Sequence, residues 1–166
     1  MHKFDPTWGS HLPVLIKCLE NSKGPVLELG LGISSTPLLH ALCFDQDRFL
    51  LSLDNDPQFV EMFKKYRSET HSIELVDNWA THPITPSPLW ALALIDHKPE
   101  ERRKEEIKRL ADKAIYLIVH DTEPNNDLYH YEEIYPLFKF RYDYTKSPVH
   151  TTVLSNFHDL DFLRNP

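Results

Sequence analysis

The chain has 166 residues, enough for one domain with a proper hydrophobic core and too few for two comfortable ones. It is 41% hydrophobic and 26% charged, and its formal charge of -7 argues against a general binder of nucleic-acid backbones, which carries a basic face. No apolar run approaches the roughly 20 residues that span a bilayer, and residues 1–21 lack the basic start, apolar centre and cleavage site of a secretory signal. The expected location is therefore the cytoplasm. Cys18 and Cys43 sit among leucines at helix-like positions, where a disulfide is open and a pair of buried thiols is favoured.

In chain order, Ser10 to Glu20 reads as a helix with Ser10 as N-cap and Leu12, Leu15, Ile16 and Leu19 on one face. Val26 to Leu29 is a short apolar strand. Gly30-Leu31-Gly32 turns the chain, and Ser34 to Pro37 open a second helix, where proline loses nothing in the first turn. Phe49 to Leu53 is a second strand ending at Asp54. Asp56-Pro57 caps a helix that turns Phe59, Val60, Phe63 and Tyr66 inward. Ile73 to Val76 is a third strand before Asp77, and the three prolines of Thr81 to Pro88 make a loop. Leu89 to Ile95 is a fourth strand ending at Asp96-His97. Pro99 to Lys113 is a charged helix burying Ile107, Leu110 and Ala114, its charge run read as a solvated face with pairs such as Glu100/Lys104 and Glu105/Arg109. Ala114 to Val119 is a fifth strand ending at His120-Asp121. Leu137 to Tyr144 and Val149 to Ser155, joined only by residues 145–148, must form an antiparallel hairpin.

Alternating apolar strands and helices make a doubly wound, mostly parallel α/β sheet, finished here by an antiparallel hairpin. Ligands of such sheets sit beyond the carboxyl ends of the strands, where Gly30, Asp54, Asp77, Asp96 and His120-Asp121 gather. Glycines at the first strand-to-helix turn let the backbone approach a ligand, and N–H groups at the helix start meet an anion. Asp54, at the end of the next strand, suits ribose hydroxyls. His40 and His71 read as surface residues. Trp8, Trp79 and Trp90 read first as packing residues, with Trp8 placed to cover a ligand and Tyr129 to Tyr135 placed to border an acceptor.

Val26-Leu-Glu-Leu-Gly-Leu-Gly-Ile-Ser34 resembles motif I of the class I S-adenosylmethionine-dependent methyltransferases, with Ser34 where the third glycine usually stands. Leu51-Ser-Leu-Asp54, Asp77 and Ala93-Leu-Ile-Asp96 resemble the family's next motifs, in order and over nearly the whole chain. The resemblance implies a seven-stranded sheet in one domain of residues 1–166: an N-terminal helix (1–23), a cofactor-binding core (24–135), and a terminal hairpin and tail (136–166). It implies S-adenosylmethionine as cofactor, with Glu28, Gly30, Gly32 and Ser34 at its methionine end, Asp54 on the ribose, and Asp77, Asn78 and Trp79 at the adenine. Asp96, His97, His120 and Asp121 are the expected catalytic residues.

The segment Leu-Ile-Asp96-His97-Lys98 is also similar to the catechol O-methyltransferase type, whose acids hold magnesium. Here Thr122 stands in place of an amide ligand, so a divalent metal is open but not favoured, and His120 or His97 as general base is the competing reading. The expected partner is a small-molecule methyl acceptor, with nucleic acid and membrane not expected and pairing with a second copy left open. A nicotinamide-dependent oxidoreductase and a non-catalytic cofactor-binding module remain as alternatives.

Overall fold

The computed structural model describes residues 6–84, 87–124 and 129–164. Eleven regular elements follow one another: α1 (Leu12–Glu20), β1 (Val26–Leu29), α2 (Ser35–Asp45), β2 (Leu50–Asp54), α3 (Pro57–Phe63), β3 (His71–Leu75), β4 (Trp90–Ile95), α4 (Arg103–Leu110), β5 (Ala114–His120), β6 (Phe140–Tyr144) and β7 (Thr151–Ser155). The strands form one seven-stranded sheet in the order β3-β2-β1-β4-β5-β7-β6. The five strands from β3 to β5 run parallel, while β7 is antiparallel to both β5 and β6. The chain winds outward from β1 to β3 and then returns to β4 on the other side of β1. The crevice of such a sheet lies where that reversal occurs, beyond the ends of β1 and β4.

Strand alternation sends side chains to two cores. Leu27, Leu29, Leu51 and Leu53 pack with Trp90, Ile107 and Leu110 under α4. Val26, Leu50, Leu92 and Leu94 pack with Leu15, Leu19 and Leu39 under α1 and α2. The buried face of α1 is Val14, Leu15, Cys18 and Leu19, whereas Ile16 is exposed. Phe63 of α3 is buried against Leu31 and Ile73, with Phe59, Val60 and Tyr66 packed around it. Cys18 and Cys43 are both free and buried. Among the described residues no helix is long and apolar enough to cross a membrane.

Several local expectations are corrected. Helix α1 begins at Leu12, and Ser10 turns its hydroxyl to His120 instead of capping. Ser34 precedes α2 without a capping bond, while Asp56 does cap α3 by accepting from Gln58 N–H at 2.8 Å. The expected helix from Pro99 is a 3-10 turn over Glu100–Arg102 followed by α4. Its charge run is not wholly solvated: Arg103 and Glu106 are buried. Glu106 pairs with Arg102 and Arg109, and Glu105 pairs with Lys108. His71 is buried as well, joined to Ser52 Oγ at 2.9 Å and to His40 Nδ1 at 3.1 Å. The two polar pairs satisfy ring nitrogens that a buried histidine cannot leave to water.

Candidate functional site

Glycine stands at position 30 because the end of β4 crowds it. Gly30 has φ +99, and a Cβ there would lie 2.5 Å from the Asp96 carbonyl oxygen and 2.7 Å from His97 N. Its freedom thus lets the end of β1 meet the end of β4, rather than opening space for a ligand. The amides of the turn are largely used within the protein. Gly30 N–H donates to Leu53 O, Leu31 N–H to Asp54 Oδ2 and Gly32 N–H to Thr36 Oγ1, all at 2.8 to 2.9 Å.

The two acids of this turn face inward. Glu28 is fully buried, accepting from Ser52 Oγ at 2.6 Å and from Thr36 Oγ1 at 3.0 and 3.1 Å. Burial pushes its carboxyl up to about 7, against the pull of these hydroxyls. Asp54 accepts from Leu31 N–H and Asp56 N–H, each at 2.8 Å, and its carboxyl is raised chiefly by burial. It therefore holds the glycine turn against the start of α3, a structural role that the spacing alone did not reveal.

Across the crevice, Arg103 organises the ends of β4 and β5. It is 3% exposed, and its guanidinium lies 2.9 Å from Asp96 Oδ1 and 2.9 Å from Asp121 Oδ2 while Nε donates to His97 O. His120 Nδ1 lies 3.3 Å from Asp96 Oδ1 and 3.2 Å from Asp121 Oδ1, with Nε2 2.8 Å from Ser10 Oγ. Burial opposes protonation of this imidazole, but the two carboxylates prevail and raise it to about 10. The same cations hold both carboxyls below their ordinary value. A charged imidazole has no free lone pair, so His120 in this arrangement is an acid or a hydrogen-bond donor rather than a base. Asp121 has φ +57 and also accepts from Tyr129 OH at 3.2 Å.

These groups border a cleft of about 360 Å³ whose lining includes Trp8, His11, Gly32, Ser35 and Phe59 together with Asp96, Arg103, His120 and Asp121. A larger depression, about 830 Å³, lies at the opposite edge of the sheet around Gly24 and Arg48, away from the strand ends where such sheets bind ligands.

Of the expected catalytic residues, Asp96, His120 and Asp121 converge on the cleft. His97 does not line it: it is buried against Trp79 at 4.2 Å between ring centroids, with neither ring nitrogen hydrogen-bonded, and burial lowers it to about 3. Of the expected cofactor residues, Gly32 lines the cleft and Ser34 borders the start of α2. Asp77 and Asn78 are exposed beyond β3, where Asn78 Oδ1 accepts from Ala80 N–H. Trp79 is buried in the core, and its Nε1–H donates to Lys98 O.

Arg103, Ser10 and His11 carry no signal in the motifs. For Arg103 a signal existed: it stands four residues before Ile107, on the stripe continued by Leu110 and Ala114.

No protein-family model matches the sequence, and no curated protein matches it. Solved structures match it by shape. The N-terminal domain of human METTL16, crystallised with SAH, aligns with 95% of this chain and 73% of its own at TM-score 0.62 and 9% identity. Human methyltransferase-like protein 13 with SAH aligns with 95% and 90% at 0.60 and 16%. An O-methyltransferase from Bacillus cereus with SAH aligns with 93% and 83% at 0.63 and 12%. Together with the strand order and the reversed β7, these likenesses establish that the chain has the fold of the class I S-adenosylmethionine-dependent methyltransferases.

Proposed function

We propose that the chain is an S-adenosylmethionine-dependent methyltransferase acting on a small-molecule acceptor through a nucleophilic oxygen or similar atom. The observation that carries this reading is the cleft between the glycine turn and the carboxylates of Asp96 and Asp121, at the point where the strand order reverses. The residues fit the cofactor: two carboxylates on one wall favour a cationic sulfur, and the mouth of α2 at Ile33 to Ser35 offers amides to a carboxylate. In this reading Glu28 acts from below, holding Thr36 and through it Gly32, while Asp54 holds both the turn and the ribose. Asp77 and Asn78 lie on the side assigned to adenine. Trp79 then contributes by supporting His97 and the β4 end.

When bound, the cofactor supplies a methyl group on an activated leaving group. What remains for the chain is to orient an acceptor and exclude water. Asp96 and Asp121, fixed by Arg103 and His120, accept hydrogen bonds from the acceptor. Trp8, 47% exposed at the cleft, covers its outer side. The extent of the cleft suits a small acceptor better than a polymer, and the net charge of -7 agrees.

Calorimetric titration tests the reading. One equivalent of S-adenosylmethionine should bind, NAD should not, and Asp54→Asn should weaken binding about tenfold or more, given that a charge-assisted hydrogen bond is worth about 1.5–3 kcal/mol. Preference for NAD, or no binding of S-adenosylmethionine, overturns it. One observation favours a second reading, a cofactor-binding module without turnover: Asp96 and Asp121 are already engaged by Arg103 and His120. Release of the demethylated cofactor across a panel of hydroxylated small molecules separates the two.

A further inference from the structure

We propose that His11, Asp96 and His120 form a three-ligand site for a divalent transition metal of the zinc type, opening on the strand-end cleft. One ligand atom from each of these side chains lies within 4.8 Å of the others. His120 Nδ1 and Asp96 Oδ1, 3.3 Å apart, are spaced as neighbouring ligands on a tetrahedral ion with bonds of about 2.0–2.1 Å.

The independent pointer is His11. It is 1% exposed, neither ring nitrogen has a hydrogen-bond partner, and its ring stands edge-on to His120 at 5.0 Å. An imidazole buried in this way forfeits its hydration, roughly 1–3 kcal/mol, unless something binds it. It lines the same cleft as Asp96 and His120.

The surroundings are those that orient metal ligands. Ser10 Oγ, 2.8 Å from His120 Nε2, fixes that ring so that Nδ1 faces Asp96. Arg103 fixes Asp96 and Asp121 together, and Tyr129 OH holds Asp121 in turn. Two carboxylates face Arg103 and His120, and a divalent ion takes the place of the proton that His120 Nδ1 holds between them, so binding releases that proton. Arg103 and His120 both meet Asp96 at Oδ1, so that carboxylate offers the ion one oxygen, shared with the guanidinium. Two imidazoles and one oxygen favour zinc or cobalt over magnesium, which prefers oxygen ligands.

This is not the oxygen-rich set of the catechol O-methyltransferase type. Thr122, at the position of the missing amide, hydrogen-bonds to Thr152 Oγ1 at 3.0 Å. Here His11 enters from the segment before β1. Three protein ligands and a fourth position toward the cleft describe a site that takes an exogenous oxygen ligand. Its use to anchor a hydroxyl or carboxylate acceptor rests on the methyltransferase reading, whereas the metal site rests on geometry alone.

The test is calorimetric titration of zinc chloride into the chelator-stripped chain without cofactor, with His11→Ala, Asp96→Asn and His130→Ala beside it. Expected is one equivalent bound, weakened about 100-fold by His11→Ala and by Asp96→Asn, with thermal melts showing both variants folded. X-ray absorption at the zinc edge should show two imidazoles. His130→Ala should leave binding unchanged, since it removes only the exposed His130, Glu132 and Glu133 cluster. Absence of stoichiometric binding, survival of binding in His11→Ala, or its loss in His130→Ala overturns the proposal. Zinc binding without S-adenosylmethionine binding overturns only the methyltransferase reading, and the reverse result overturns only the metal site.

Discussion

Glu28 shows how a single buried acid ties stability to pH. With no exposed surface and only hydroxyl donors around it, its carboxyl rises from 4.5 to about 7. Between those values the folded chain keeps a proton that the unfolded chain has released, so stability is full below the unfolded value and falls as pH rises through the folded one. At about 1.36 kcal/mol per unit the loss reaches roughly 3 kcal/mol. Glu28→Gln should remove it: the variant's melting temperature should gain on wild type between about pH 5 and about pH 8. A difference that stays flat with pH would show that the hydroxyls of Ser52 and Thr36 fully compensate the charge. His71, hydrogen-bonded to the same Ser52, was expected at the surface and is buried because the β2 hydroxyl offers it a partner.

Among the elements, the meeting of β1 and β4 is the tightest constraint. Gly30→Ala adds a Cβ against the Asp96 backbone at a positive φ, and its cost should exceed about 1 kcal/mol in denaturant unfolding. A neutral result would mean that β4 yields there. The parallel strands were legible because each is a short apolar run bounded by glycine, proline or acid, and all of their polar ends gather at one edge. The hairpin was legible from its short connection. The insertion of β7 between β5 and β6 was not, because pairing order is decided by tertiary packing. Helix α4 hid its two most informative residues behind charge: Arg103 and Glu106 lie on the buried stripe, and only their partners explain them. At the site, Asp96, His120 and Asp121 were legible as strand ends. Ser10 and His11 were not, since the Ser10 contact spans 110 positions to His120 and no local pattern encodes it. Residues 85–86 of the expected proline loop, and residues 1–5, 125–128 and 165–166 of the expected domain, lie outside the described residues.

On the scale of the molecule, two buried arginines close opposite edges of the sheet. Arg48 donates to Gly24 O at 2.7 Å and to Leu19 O at 3.1 Å, joining α1, the entry to β1 and the turn before β2. Arg103 joins the strand ends around the cleft. A strand the length of β4 separates these edges by about 20 Å. Replacing Arg103 with Met should cost about 3 kcal/mol by stranding two carboxylates, and Arg48→Met about 1–3 kcal/mol by stranding carbonyls. In urea unfolding the double variant should lose the sum to within about 0.5 kcal/mol. A coupling well above that would mean that the sheet transmits strain from one edge to the other.

The bond between Ser10 and His120 also sets a schedule. A chain growing from its N-terminus carries Ser10, His11 and the glycine turn early, but β5 must emerge and pair with β4 before His120 can meet them. No earlier fragment holds both walls of the cleft. Ligand capture thus comes late in the making of the molecule and, when it comes, reports that the sheet has been assembled through β5.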